Sequence, residues 1–261
     1  MQKSQNTSKF YDNLWAAFIF FTRLPFWRVY QPPKSSYAAV VEWWPFTGWL
    51  TGGAMATTLY YGSMVMPYAV AVIAAIIVRL LLTGALHEDG LADFFDGFGG
   101  GGSDRQRILD IMKDSHIGTY GVLSLILYLS LLGVALFSLS PEVAALTILA
   151  ANPFSKMITS LMVVMMPYAR TEETAKNKTV YRTIGWMSGI SLCIQGLLPM
   201  MAFLWYTGLS WVMIIIMPCL VMGLLCLLIW RRLRGYTGDC CGAVCLLTEL
   251  AVCLTVCSLV A

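Results

Sequence analysis

The stretch SWVMIIIMPCLVMGLLCLLIWRRLR, residues 210–234, carries no charge until Trp230 and then three arginines in four positions. Crossing the hydrocarbon core of a bilayer takes about 20 apolar residues. No water is present there to satisfy backbone groups, so a segment of this kind must be a helix. Arginines at the end of such a segment mark the cytoplasmic side.

Working outward, the same pattern recurs. Spans are expected at 43–66, 68–86, 121–139, 142–166, 187–207, 210–230 and 240–261. FYDNLWAAFIFFTRLPF, residues 10–26, is apolar but short and ends at Arg23 and Pro25, which reads as an interfacial or re-entrant helix. The expectation is an all-α, polytopic helical bundle of about seven transmembrane helices plus that N-terminal helix. It forms a single membrane domain over residues 1–261, with residues 1–35 as an interfacial segment and 87–120 as a cytoplasmic loop. Composition agrees: 58% of the 261 residues are hydrophobic and 12% are charged, about half the charge of a soluble domain.

The connections alternate. Those near Met66, Ser140 and Thr207 are short and carry only Glu142. The N-terminal region, 87–120, 167–186 and 231–239 hold every lysine and arginine except Arg79 and Lys156, including Lys3, Lys9, Lys176, Lys178 and Arg182. The long connections are therefore expected in the cytoplasm and the C-terminus outside. The polar opening MQKSQNTSKFYDN has no signal-peptide pattern. A net charge of +3, placed beside spans, gives no nucleic-acid footprint. The eight cysteines lie in or at the start of apolar segments without a C-x-x-C pair, and read as packing residues.

Against this background HEDGLADFFDGFGGGG, residues 87–102, is out of place. In a helix, Asp89, Asp93 and Asp96 stand at i, i+4 and i+7, within roughly 60° of one face. Three carboxylates on one stripe repel, and a divalent cation with hard oxygen ligands, such as Mg²⁺, relieves that repulsion. The four glycines at 99–102 are expected to make a hinge or admit a ligand to the backbone. An EF-hand and a P-loop are both excluded, the first for want of its ligand spacing and the second for want of Gly-Lys-Ser/Thr. RQRILDIMKDSHIGTYG follows, with Arg105, Arg107, Lys113, Asp114, Ser115 and His116. Cations opposite a metal-binding carboxylate face suit a diphosphate substrate. Arg23, Arg170 and Asp239 lie in polar patches at the same membrane face, and an acid at a membrane entry reads as functional. Glu42, Glu249, Asn152 and Lys156 are polar in apolar surroundings, as bundle-internal partners or as site residues.

FFTRLPF (20–26), EWWPFTGWLTGG (42–53), TGALHEDGLADFFDG (83–97), RILDIMKDSHIGTYG (107–121), YAR (168–170) and TGDCCGA (237–243) together resemble the cobalamin synthase, or adenosylcobinamide-GDP ribazoletransferase, family. The resemblance implies an integral inner-membrane, Mg²⁺-dependent enzyme. It would join α-ribazole, or its 5′-phosphate, to adenosylcobinamide-GDP and release GMP, completing cobalamin assembly. It also implies that Asp89, Asp93 and Asp96 hold Mg²⁺ on the diphosphate, with His87 or an aspartate as general base. Arg23, Arg105, Arg107, Lys113, Asp114, Ser115, Arg170 and Asp239 would line the substrate site. The partners implied are corrinoid-nucleotide and nucleoside substrates and the lipid bilayer, with a homo-oligomer or other cobamide-assembly enzymes as further candidates. Two rivals stand beside it. A CDP-alcohol phosphotransferase wants D-x-x-D-G-x-x-A-R, where this chain has three residues between its first aspartates and no Ala-Arg. A cation-coupled transporter wants carboxylates at mid-membrane rather than at the rim.

Overall fold

A computed structural model describes residues 10–170 and 184–260. Lys3, Lys9, Lys176, Lys178 and Arg182 lie outside the described residues. The described chain is helical: α1 (Phe10–Phe21), α2 (Trp44–Gly62), α3 (Tyr68–Thr83), α4 (Leu86–Gly100), α5 (Arg105–Lys113), α6 (Thr119–Phe137), α7 (Pro141–Met165), α8 (Trp186–Thr207), α9 (Trp211–Leu233) and α10 (Gly238–Val260). Two 3-10 segments, Phe26–Arg28 and Lys34–Trp43, join α1 to α2.

Five helices, α6 to α10, are long and apolar enough to cross a membrane, and a sixth crossing is counted if α3 and α4 form one broken span. The expected number was about seven, and two segments account for the difference. In α2, glycine, threonine and aromatic residues dilute the apolar content. α3 has 16 residues, about 24 Å of helix against about 30 Å of hydrocarbon.

α3 stops because Gly84 and Ala85 both adopt left-handed backbone, at φ +63° and +55°. For Ala85 that conformation costs about 1–2 kcal/mol. The pair turns the chain by 89°, so α4 leaves the direction of α3 almost at a right angle.

The interior is built on glycine contacts. Gly48 and Gly52 of α2 face α7, and a Cβ on either would come within 2.9 Å of Pro153 Cα or Asn152 Cβ. This is small-x-x-x-small packing, which lets helices approach where lipid supplies no hydrophobic drive between them. Glycines in and just after α4 act similarly: a Cβ on Gly97 would overlap Met112, on Gly99 the Tyr120 ring, and on Gly101 Ile108. Gly97, Gly99 and Gly101 therefore seat α5 and α6 against this helix, while Gly102, at φ +61°, meets no neighbour within 4 Å.

Hydrogen bonds gather the connections at two opposite ends. At one, Tyr68 donates to the carbonyls of Leu136 and Leu139, and Tyr206 to Glu142. At the other, Arg105 donates to the carbonyls of Leu233 and Ala169, Arg232 to those of Phe98 and Gly102, and the Arg23 amide to Leu82. The described parts of the long connections thus share one end, the alternation that their charges foretell.

Candidate active site

At that end, α4 and α10 cross through glycine. A Cβ on Gly90 would stand 3.1 Å from Asp239 Cα, and one on Gly242 would stand 3.0 Å from the His87 carbonyl oxygen. The contact brings together the N-terminal turns of both helices. Thr237 accepts from the Cys240 amide, which starts α10. Just before it, residues 235–237 run beside 167–169: Ala169 N–H donates to the Tyr236 carbonyl at 2.8 Å and Tyr236 N–H to that of Pro167 at 3.0 Å. Gly235 permits this approach, since a Cβ there would lie 2.6 Å from the Pro167 oxygen.

These elements enclose a cavity of about 130 Å³ lined by His87 and Asp89 from α4, Arg170, Asp239 and Gly242 from α10, and the rings of Phe20, Phe21, Trp44 and Tyr168. Arg170 is 9% exposed. One of its nitrogens, Nη2, donates to the Leu109 carbonyl at 2.9 Å. Its Nε and Nη1 are buried without a partner among the described residues. A buried guanidinium with two free donors is unfavourable by itself and suits an anion, bidentate phosphate above all. The first turns of two helices add the positive ends of their dipoles.

His87 stacks on Trp44 and Phe21, with ring centroids 5.7 and 6.2 Å apart. Trp44 Nε1 lies 3.2 Å from His87 Nε2. Indole N–H only donates, so Nε2 must carry the lone pair and Nδ1 the proton. In this arrangement the imidazole is a donor, which weighs against it as the general base.

The remaining expected site residues divide. Asp93 is half-buried one turn beyond Asp89 and does not line the cavity. Asp96 departs from the expected metal triad: it is buried, and its two oxygens accept from the amides of Gly118 and Gly121 at 2.7 and 2.8 Å. It holds the start of α6. The helical stripe is present, but burial turns its far member to another task. Arg105 is likewise committed to backbone carbonyls rather than to a ligand. Arg107, Lys113, Asp114 and Ser115 are exposed and outside the cavity. Asp114 accepts from the His116 amide and from its Nδ1, at 3.1 and 2.7 Å. The bond lowers the Asp114 carboxyl and raises the His116 imidazole from their ordinary values. Arg23 lines a neighbouring cleft.

Among the described residues, no three histidine, cysteine or acidic side chains converge on one point that could hold a metal. Asp89, Asp93 and Asp96 do not meet at one point among the described residues. Two carboxylates, Asp89 and Asp239, do line the same cavity. Mg²⁺ is held through one or two carboxylates, substrate phosphates and water, and this smaller donor set fits that pattern. The free cysteines, five of them buried, are packed in the helices as expected.

The sequence reading did not single out Trp44, Tyr168, Thr237 or the Gly90–Gly242 crossing. Beneath the cavity it also left unpaired the four charges of a buried cluster. Arg79 lies 3.0 Å from Glu88 and 3.3 Å from Glu249. Asn152 donates to Glu249 at 2.9 Å and accepts from Lys156 at 2.5 Å. A basic residue inside a span was the available signal.

The fold defines a polytopic, all-α membrane protein with its polar cavity at one end of the bundle. Over residues 13–257 the chain matches the family described as cobalamin-5-phosphate synthase, and it belongs to that family. Relatives named adenosylcobinamide-GDP ribazoletransferase include one from Leptospira interrogans, 32% identical over 90% of this chain and 91% of its own. Another, from Shewanella baltica, is 32% identical over 96% and 95%. A third, from Shewanella frigidimarina, is 34% identical over 92% of each. No solved structure matches.

Proposed function

We propose that this chain joins α-ribazole, or its 5′-phosphate, to adenosylcobinamide-GDP and releases GMP. Family membership sets the reaction class, and the buried Arg170, two of whose nitrogens have no partner among the described residues, carries the assignment of the phosphate site. The cavity has room for phosphates but not for a corrin ring, which would lie outside it at the membrane face.

The ribazole hydroxyl oxygen attacks the cobinamide-side phosphorus roughly in line with the departing GMP. One phosphorus–oxygen bond forms, the bond to GMP breaks, and the hydroxyl proton passes to whichever of Asp89 and Asp239 does not hold the metal. Arg170 and the helix N-termini stabilise charge on the phosphoryl oxygens, and His87 Nδ1–H is a further donor. The other of these two carboxylates would hold Mg²⁺ together with the substrate phosphates, and the ion when bound neutralises diphosphate charge and makes GMP a better leaving group. The basic residues at this end of the bundle support its facing the cytoplasm, in a bacterial inner membrane.

The test is purified protein in liposomes with adenosylcobinamide-GDP and α-ribazole, with and without Mg²⁺. Corrinoid product and GMP should appear in equal amounts and disappear with chelator. Arg170→Gln should lower kcat/KM on the order of 10²-fold while helical content is retained. Near-normal turnover by that variant would remove the phosphate assignment.

A further inference from the structure

A second cavity of about 290 Å³ adjoins the first, and Phe20 and Leu86 line both. The part of a substrate that lies next to its phosphates is the part that reaches across this shared wall. On the corrin side of adenosylcobinamide-GDP that part is uncharged. The phosphate is joined to the ring through a carboxamide, and further carboxamide arms stand on the rim of the ring.

The polar groups of this cleft are of two kinds. Thr22 donates its hydroxyl hydrogen to the Phe18 carbonyl at 2.6 Å, and Thr83 donates to that of Arg79 at 3.0 Å. Each therefore turns only lone pairs to a ligand. The Arg23 guanidinium and the Tyr37 hydroxyl also line the cleft, have no hydrogen bond or ion pair among the described residues, and can both donate. A phosphate set among these four would hold its oxygens against the threonine lone pairs. A carboxamide has an N–H for the acceptors and a carbonyl for the donors, so it satisfies both kinds at once. Arg23 is exposed, yet it is held rather than loose. Its backbone amide donates to the Leu82 carbonyl at 2.6 Å. Its side chain runs across Gly84, where a Cβ would come within 2.1 Å of Nε. The left-handed glycine that ends α3 is thus also the notch that seats this arginine.

We infer that this cleft recognises the donor substrate by a carboxamide on the corrin side of its diphosphate, with the carbonyl on Arg23 and Tyr37 and the N–H on Thr22 and Thr83. The inference rests on the transfer reading above and adds where the corrin end is read, while Arg170 takes the phosphate end.

Two probes separate the ends of the donor. Adenosylcobinamide has the corrin and its carboxamides but no phosphate, and GDP has phosphates but no corrin. The experiment measures the Kd of each by equilibrium dialysis against the purified full-length chain in detergent, which needs no turnover. Arg23→Ala should weaken adenosylcobinamide about tenfold and leave GDP unchanged. Arg170→Gln should do the reverse. Thr22→Val and Tyr37→Phe should each weaken adenosylcobinamide less than Arg23→Ala does, and Arg23→Lys should keep part of the affinity. If Arg23→Ala does not fold, the Lys and Phe variants carry the same comparison. Adenosylcobinamide that fails to bind the wild type, or binds all the cleft variants equally, overturns the cleft assignment and leaves the transfer reading intact. Loss of GDP rather than adenosylcobinamide affinity in Arg23→Ala would put a phosphate in the cleft and overturns it too. A wild type that gives no product from adenosylcobinamide-GDP and α-ribazole overturns the transfer reading, and this inference falls with it.

Discussion

Asp96 shows how one residue's surroundings decide its work. Its spacing from Asp89 and Asp93 suits a shared metal, yet it accepts two amides at the start of α6. The room for it comes from Gly118 and Gly121, where a Cβ would lie 2.6 and 2.4 Å from its oxygens. An amide side chain would set an N–H against an N–H. Asp96→Asn should therefore cost about 1–3 kcal/mol and lower the thermal midpoint in detergent. The Mg²⁺ concentration giving half-maximal turnover should not move. A shift in that concentration at unchanged midpoint would return Asp96 to the metal.

At the scale of elements, the crossing of α4 and α10 sets where Asp89 and Asp239 stand. The His87 carbonyl and Gly90 Cα lie 3.0 and 3.4 Å from a Cβ on Gly242, and a larger side chain must push the helices apart. Gly242→Val should cost about 1–3 kcal/mol in stability and lower kcat about 10²-fold or more, because misplacement by about an ångström suffices. Circular dichroism and turnover on one preparation check this, and an unimpaired kcat would mean that the crossing does not set the site. Elements were largely legible in advance. α6 to α10 follow from apolar length, whereas 87–120, expected as a loop in which the three aspartates align only if it is helical, holds the helices α4 and α5. α2 was located, but its role as a glycine-lined packing helix was not, because spacing such as Gly48 to Gly52 has no meaning until its partner is known. The 3-10 segment Lys34–Trp43 has no sequence period and was missed. Asp89, Arg170 and Asp239, expected from acids and cations at a rim, line the cavity. Arg105 and Asp96 were assigned by the same rule and are held elsewhere, since a charge pattern does not reveal which groups the backbone will claim.

For the whole molecule, four buried charges, Arg79, Glu88, Lys156 and Glu249, sum to zero and link α3, α4, α7 and α10. The Arg79 guanidinium also sits 5.7 Å from the Tyr128 ring of α6. Removing one partner from such a cluster is worse than removing two of opposite sign, because an unpaired charge is left in low dielectric. Arg79→Met should cost about 3–5 kcal/mol, read as loss of the folded fraction on denaturation in micelles. Combining it with Glu249→Gln should recover part of that loss. Additive losses in the double variant would show that the two residues do not act on each other.

The right-angle turn at Gly84 and Ala85 has a mechanical consequence. The shaft below it is clamped across the turn, because Arg79 of α3 lies 3.0 Å from Glu88 of α4. The crosspiece above is pinned by Arg232 through the carbonyls of Phe98 and Gly102. Like a welded bracket rather than an elbow, the joint fixes the direction in which the reactive groups of α4 point relative to the helix that leads into it.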